Sequence, residues 1–424
     1  MSKIIVQFNE ANFDLIKKYC FKYNFKNIKE YLNSNNEIHS TSEEKYENLE
    51  PWIQWYSFYS NKDFKNHKVF HLNHQTNMKH ENFLSKLAKK IKIGVFASMN
   101  LPFDRCYQVF IPDPWSSASS DNSFNSKFIS SAITQLVNTN SRMKISLSSI
   151  IGILLLIGLP KNLTDLKNIS KTVFAFFKKD RSSLASYFDY YFFQYALRRH
   201  KSLKLDLSTI FLNGLAHIQH HYMLNSEFIN GENPNWYCPK KIDPIKRSLE
   251  VYEKIFEKIN IFNKNEDNST YLITGLTQSP FKNPVYYWRF INHKNILSKF
   301  LNFDFKIKPL MTRDFQIYLK DEQNQILLLD FLNSAKVIKR NKEYKAFGHI
   351  DVLDKKIIFA TFIFDKDIND TILSWNNQFV KLSKKNLIFV AIKNAGHNSK
   401  GWAYGNFSKY SKETTIWNLS KLIF

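Results

Sequence analysis

At 424 residues, with 44% hydrophobic and 16% aromatic side chains, the chain can bury a large core and is excluded from the disordered class. Its formal net charge of +23 raises nucleic-acid binding, but lysine and asparagine are spread along the whole length, as in chains from AT-rich genomes. No ordered Arg-rich motif appears, so nucleic acid is not the expected partner; a diffuse positive field equally suits phosphorylated sugars, nucleotides or an anionic membrane face.

Lys3–Phe8 (KIIVQF) reads as a buried strand, followed by the polar turn Asn9-Glu10-Ala11-Asn12 and a helix over Phe13–Tyr19. The opening MSKIIVQF enters that strand at once, which leaves no room for a signal peptide. Cys20, Cys106 and Cys238 are odd in number and far apart. They match neither a zinc spacing nor a disulfide framework, and a cytoplasmic protein with free thiols is the expectation. Ile91–Ala97 repeats the strand pattern and ends at Ser98-Met99-Asn100.

The rhythm breaks between Leu101 and Lys204. Pro102, Pro112 and Pro114 mark loops, and Ser116–Ser131 is rich in serine and asparagine. Two helical blocks follow. Ile145–Leu159 (ISLSSIIGILLLIGL) holds three serines and falls short of the ~18–20 residues needed to span a bilayer. It reads as a buried helix, with an interfacial membrane contact as the alternative. Leu184–Arg199 is crowded with aromatics and runs into Arg198-Arg199-His200. Residues 101–204 therefore read as a helical cap insertion over the site. Its aromatic and basic side chains either bind a glycan or lipid-linked anion or, as aromatics more commonly do, pack between cap and core.

The strand pattern resumes at Leu205–Leu212, which ends at Asn213. Tyr271–Ile273 ends at Thr274-Gly275, and Leu387–Ile392 ends at Asn394-Ala395-Gly396-His397. Apolar strands separated by helices, with small and polar residues at their carboxyl ends, predict an α/β fold with a doubly wound, mostly parallel sheet. Residues 1–100 and 205–424 are expected to form this core. Ligands bind beyond the carboxyl ends of such strands. The densest cluster there is FLNGLAHIQHHY (Phe211–Tyr222), with His217, His220 and His221; imidazole is the commonest metal ligand. Arg313-Asp314-Phe315 interrupts an apolar stretch, where Arg313 either binds an anion or forms a structural pair with Asp314.

These segments, in their order, resemble the alkaline phosphatase superfamily, in its type I phosphodiesterase branch. Ala216-His217-Ile218-Gln219-His220 is similar to the Asp-x-x-x-His metal segment, with alanine at the aspartate. Ile4–Ile16 looks like the opening strand, with Asn9-Glu10 in place of Asp-Gly. Glu50–Asn61 (EPWIQWYSFYSN) looks like the nucleophile segment, with Pro51 at the nucleophilic threonine. Gly94–Trp115 resembles the strand leading to a Pro-rich loop. Tyr271–Gln278 occupies the place of Ser-Asp-His-Gly, with Gly275 and Leu276 at the Asp and His. Gly396–Gly401 resembles the last metal motif and keeps its histidine, His397.

The resemblance implies that one of the family's two metal sites is erased (Asn9, Pro51, Gly275, Leu276), while the other keeps His220 and His397 without its aspartate. Strand-end placement predicts that Asn9, Trp55, Gly275 and His397 converge at the carboxyl edge of one parallel sheet. The expected metal ligands are His220 and His397, holding one divalent ion, zinc or manganese, if Glu10 or Glu50 completes the set. Without a metal, Glu10, Glu50 and His217 are the candidate acid–base groups. Asn9, Gln54, Trp55, Gln278 and Arg313 are the candidate substrate contacts. The expected function is hydrolysis or group transfer on a phosphorylated or sulfated sugar or glycan. The alternatives are a pseudoenzyme binding a glycan or phosphate ligand, and a membrane-peripheral transferase in surface polysaccharide synthesis.

Overall fold

The computed structural model describes residues 2–45, 49–70, 72, 82–138, 146–160, 163–178, 180–310, 313–407, 409 and 411–424. The chain divides into two compact units: Met1–Pro280 with Ala395–Phe424, and Phe281–Asn394.

Among the described residues, the first unit is built on an eight-stranded sheet. Its strands are β1 (Ser2–Phe8), β2 (Asn36–Thr41), β3 (Ile93–Phe96), β4 (Val109–Ile111), β5 (Leu207–Leu212), β6 (Asn268–Ile273), β7 (Lys400–Gly405) and β8 (Glu413–Thr415). Their order across the sheet is β8-β2-β7-β6-β1-β5-β3-β4. The segment from β6 to β4 is parallel throughout, whereas β7 runs antiparallel to both its neighbours. A mostly parallel α/β sheet is thus what the chain forms. Helices cover both faces of such a sheet, so its central strands are buried along most of their length: every residue of β5 is buried, as is Ile4–Phe8 of β1.

The helices used below are α1 (Phe13–Tyr23), α2 (Pro51–Ser60), α3 (Phe124–Asn138), α4 (Leu147–Ile157), α5 (Leu163–Phe177), α6 (Arg181–Ser202), α7 (Gly214–Tyr222) and α8 (Pro244–Asn263). Asn12 starts α1 by accepting the Leu15 N–H at 3.0 Å; such a cap satisfies one of the orphan donors of a helix start. Three strands leave the sheet through a left-handed residue: Glu10 after β1, Ala97 after β3 and Gly275 after β6, with φ of 56°, 56° and 74°. The first of these turns sets the direction of the Glu10 side chain.

Residues 101–204 are less separate than a cap insertion would be. They supply the edge strand β4, and α6 packs against β5, α7 and α8. The aromatics of α6, among them Tyr190, Phe192, Phe193 and Tyr195, are buried in the main core. The basic cluster at its end is structural. Arg198 donates to the carbonyl of Leu156 at 2.8 Å, closing the last turn of α4. His200 is buried between the hydroxyls of Ser2 and Ser208. The serine-rich stretch is half helix, because α3 begins at Phe124, and α5 is a further helix not anticipated from the sequence. Ile145, where the first apolar block was expected to begin, lies outside the described residues; α4 covers Leu147–Ile157.

The second unit corrects the expectation that 205–424 is all α/β core. It contains two four-stranded antiparallel sheets around its own core, centred on Phe290, Phe315, Phe331, Phe347 and Phe362. The signal was alternation: Asp314–Leu319 and Thr371–Trp375 bury every second residue, as one-faced antiparallel strands do. Leu387–Ile392, taken for a strand of the main sheet, belongs to Leu387–Asn398, which pairs with Thr277–Phe290 in a two-stranded ribbon. The chain leaves the first unit along one strand of that ribbon and returns along the other.

One buried acid ties the helices of the first unit together. Asp189 of α6 accepts the Gly214 N–H at 2.7 Å at the start of α7 and the Tyr252 hydroxyl of α8. Burial pushes its carboxyl up to about 7, against the lowering effect of the hydrogen bonds from Tyr252, Gly214 and Asn213. The sign follows from linkage: a folded-state pKa raised above its unfolded value gives stability that is full below the unfolded pKa and lost as pH rises through the folded one. Asp189→Asn keeps an oxygen for both donors and cannot ionise. Urea unfolding between pH 4 and pH 7, the window set by the values 3.8 and about 7, should show stability falling less steeply in the variant, by about 1.4 kcal/mol per pH unit at most. Identical slopes would contradict the assignment.

Candidate functional site

The site grows from the first residue beyond β1. Glu10 is a buried acid in a left-handed backbone conformation, which a residue with a Cβ adopts only when its surroundings over-determine it. They do. Its N–H donates to the Thr274 carbonyl at 3.1 Å, and its carbonyl accepts from Gln219 Nε2 at 2.9 Å. Gln219 Oε1 in turn accepts the Asn12 N–H at 3.0 Å, so one α7 side chain clamps the turn at two points. Asn9 Nδ2 donates to Glu10 Oε1 at 2.9 Å. Gln278 Nε2 donates to Glu10 Oε2 at 2.5 Å and to the Ala216 carbonyl at 3.0 Å.

Two histidines complete the cluster. His220 Nε2 lies 2.8 Å from Glu10 Oε2, and His397 Nε2 lies 3.2 Å from the same oxygen. Their ring centres are 5.2 Å apart. Glu50, in the N-cap position of α2 without capping it, places Oε2 3.7 Å from His397 Nδ1. Burial alone would raise the Glu10 carboxyl; the charges of His397 and His220 and the hydrogen bonds from both outweigh it and hold Glu10 well below the usual carboxylate range.

The tautomer of His220 decides what the cluster requires. Its Nδ1 is 3.1 Å from the Ala395 carbonyl, which can only accept, so Nδ1 carries a proton. A neutral His220 would then aim the Nε2 lone pair at a carboxylate oxygen. The contact is favourable only with a positive charge between or on the two groups, either a second ring proton or a metal ion. The donor set fits a metal. The ligand atoms of Glu10, His220 and His397 lie within 4.8 Å of one another. Two imidazoles and a carboxylate are a known catalytic zinc set, and a backbone carbonyl holding the far ring nitrogen is the usual outer support of a ligating histidine.

The other residues singled out in the sequence fall into distinct places. Asn9 is buried between Glu10 and Asn213, donating to Asn213 Oδ1 at 2.7 Å. Gln278 is buried against Glu10. Gln54 is buried and accepts the Glu43 N–H at 3.3 Å, so its amide serves a turn rather than a ligand. Trp55 is fully buried and donates from Nε1 to Asn9 Oδ1 at 2.8 Å; it is a packing residue rather than a substrate contact. His217 meets His221 edge to face, ring centres 4.6 Å apart, and is not part of the ligand group. Arg313 belongs to the second unit, where its guanidinium lies 3.9 Å from the centre of the Tyr287 ring. Gln219, Asn213 and the Ala395 carbonyl were missed as site groups. The available signals were Gln219 beside His220 in the same short helix and Asn213 at a strand end.

No protein-family model matches the chain, and no curated protein matches it. Solved structures do. Phosphonoacetate hydrolase from Sinorhizobium meliloti 1021, in complex with phosphonoformate, is 8% identical with a TM-score of 0.43, over 99% of this chain and 94% of that one. Murine ectonucleotide pyrophosphatase/phosphodiesterase 5 is 9% identical with a TM-score of 0.40, over 100% and 94%. The alkaline phosphatase PafA is 10% identical with a TM-score of 0.45, over 99% and 95%.

The positions at which that resemblance would put a second metal are filled by packing. Asn9, Pro51 and Leu276 are buried. At Gly275, whose φ is 74°, an added Cβ would stand 3.1 Å from the Trp55 ring, so any side chain there is both strained and obstructed.

Because Glu10 and His220 act as a unit, their replacements should not add. In chelator-containing buffer, where only the protonated pair contributes, a double-mutant cycle of Glu10→Gln and His220→Ala followed by equilibrium unfolding should give a coupling of about 0.5–3 kcal/mol. Strict additivity would mean that the two groups do not interact.

Proposed function

We propose that the protein is a hydrolase of an anionic ester, a phosphorylated or sulfated sugar or glycan, using one divalent ion held by Glu10, His220 and His397. The observation that carries this reading is the His220 tautomer: a histidine whose outer nitrogen is fixed as a donor points its inner nitrogen at a buried carboxylate. A zinc or manganese ion bound there supplies Lewis-acid stabilisation of the charge that develops on the ester's non-bridging oxygens.

The chain's own groups do the rest. Glu50, half-exposed beside His397, accepts a proton from the attacking water. The water oxygen then bonds to phosphorus or sulfur while the ester oxygen departs with its electron pair and takes up the proton that Glu50 accepted. His397 positions Glu50 through its Nδ1. Asn9 and Gln278 keep Glu10 ionised and oriented and are not themselves open to substrate. Proline at position 51 offers no hydroxyl, so attack by water directly, with no covalent enzyme intermediate, is the route open to this site. The excess of basic residues favours an anionic substrate over a neutral one. The unpaired thiols of Cys20, Cys106 and Cys238 support action in a reducing compartment such as the cytoplasm.

A second reading has its own observation. The packed Trp55–Gly275 contact removes half of a two-ion site, which suits a protein that binds an anionic glycan or phosphate without turning it over. A panel of phosphorylated and sulfated sugars, assayed for released phosphate or sulfate with zinc, with manganese and with chelator, separates the two. The hydrolase reading expects metal-dependent release and, for Glu50→Gln, a fall in kcat of about 10²-fold or more with KM little changed. Saturable binding of these compounds with no release under any condition would leave the binding protein. Trapping of a phosphorylated side chain in the helix Pro51–Ser60 would overturn the assignment of direct water attack.

A further inference from the structure

Two helices of the first unit are turned inside out. In α4 the buried residues are the small or central ones, Ser149, Gly152 and Leu156. Gly152 sits so close to α3 that an added Cβ would stand 2.2 Å from the Phe128 carbonyl. The opposite face presents Leu147 and Leu154, 74% and 64% exposed, with Ile150 between them. In α5 the buried face carries Asn168 and Ala175, while Leu166, Phe174 and Phe177 are exposed, the last at 77%. Leu156 apart, the exposed sides carry large apolar side chains and the buried sides small or polar ones, the reverse of a soluble surface helix.

The charges on these two helices are mostly of one sign. Helix α4 carries no charged residue, and α5 with the residue that follows it carries exposed Lys167, Lys171 and Lys178 against a single acid, Asp165. On the helical wheel the three lysines flank the apolar stripe of α5, and Asp165 lies on the far side. Lys178 Nζ is 4.4 Å from the centre of the exposed Phe174 ring. Neither helix can cross a bilayer: they are 11 and 15 residues long, against the ~20 needed, and no helix among the described residues is long and apolar enough to do so. An apolar stripe with lysines along its edge is how a helix lies in the headgroup region of an anionic membrane.

We propose that α4 and α5 form a membrane-docking surface, seating the protein on an anionic bilayer with the apolar side chains in the interface and Lys167, Lys171 and Lys178 on the headgroups. This goes beyond the hydrolytic reading, does not depend on it, and commits to a lipid surface rather than a protein partner.

Co-sedimentation with vesicles tests it, using the full chain, phosphatidylcholine alone and phosphatidylcholine with about one-third phosphatidylglycerol. The mixed vesicles should bind on the order of tenfold more tightly than the neutral ones, and binding should weaken with added salt. Leu154→Glu with Phe177→Glu, both at exposed positions, should lower binding on the order of tenfold or more while the thermal melt stays unchanged. Lys167→Glu with Lys171→Glu should abolish the preference for anionic lipid. Three results would overturn the proposal: no binding to anionic vesicles at low salt, binding undiminished by the apolar replacements, or a stable dimer in solution that the same replacements dissociate. The last would make the face a contact between copies of the chain.

Discussion

The structure of the site depends on one backbone conformation. Glu10 leaves β1 with a positive φ, and this turns its carboxylate toward the carboxyl edge of the sheet, where α7 and the returning chain at Ala395–His397 can reach it. A left-handed residue with a Cβ costs of order 1–3 kcal/mol. The bonds from Thr274, Gln219, Asn9 and Gln278, with the two histidines, hold it there. Each belongs to a different part of the chain: the end of β6, α7, β1's own exit, and both strands of the ribbon. Parts far apart in sequence therefore meet on one carboxylate.

A buried carboxylate with so many donors is either a structural anchor or a ligand. Hydrogen bonds from amides alone would satisfy it. The histidines add something amides do not, a pair of nitrogen lone pairs whose usefulness depends on what cation stands before them. His220 is held by the Ala395 carbonyl in the one tautomer that leaves Nε2 available. Gln278, also on Glu10 Oε2, cannot serve as that cation. The spacing of 2.8 Å between His220 Nε2 and Glu10 Oε2 suits an imidazolium proton, and the ligand atoms of Glu10, His220 and His397 lie within 4.8 Å of one another. Next to it, Trp55 packs so closely on Gly275 that an added Cβ there would stand 3.1 Å from its ring.

Much of this was legible in the sequence. Apolar runs ending in small and polar residues gave β1, β3, β5 and β6 and the edge where they end, because a buried parallel strand has to be apolar on both faces. His220 and His397 stood out through their places in two motifs. Glu10 was visible as a carboxylate at a strand end, but not its left-handed conformation, which comes from contacts with residues more than 200 positions away. Gln219 and Asn213 act through a few hydrogen bonds that leave no periodic trace. The aromatics of α6 carried a composition that packing and ligand binding share, and only burial decides between them. The second unit was missed because attention to apolar runs passed over the alternating pattern of its antiparallel strands. Arg313 fell in that unit, where its neighbour is Tyr287.

The central claim is that Glu10, His220 and His397 hold one metal ion. Calorimetric titration of zinc into chelator-stripped protein tests it most directly, with Glu10→Gln and His220→Ala titrated alongside. The account predicts saturation at one ion per chain in the unaltered protein and loss of that binding in both variants while they remain folded. Absence of stoichiometric binding to the folded, unaltered protein by zinc, and by manganese in the same experiment, would contradict it, as would undiminished binding to Glu10→Gln.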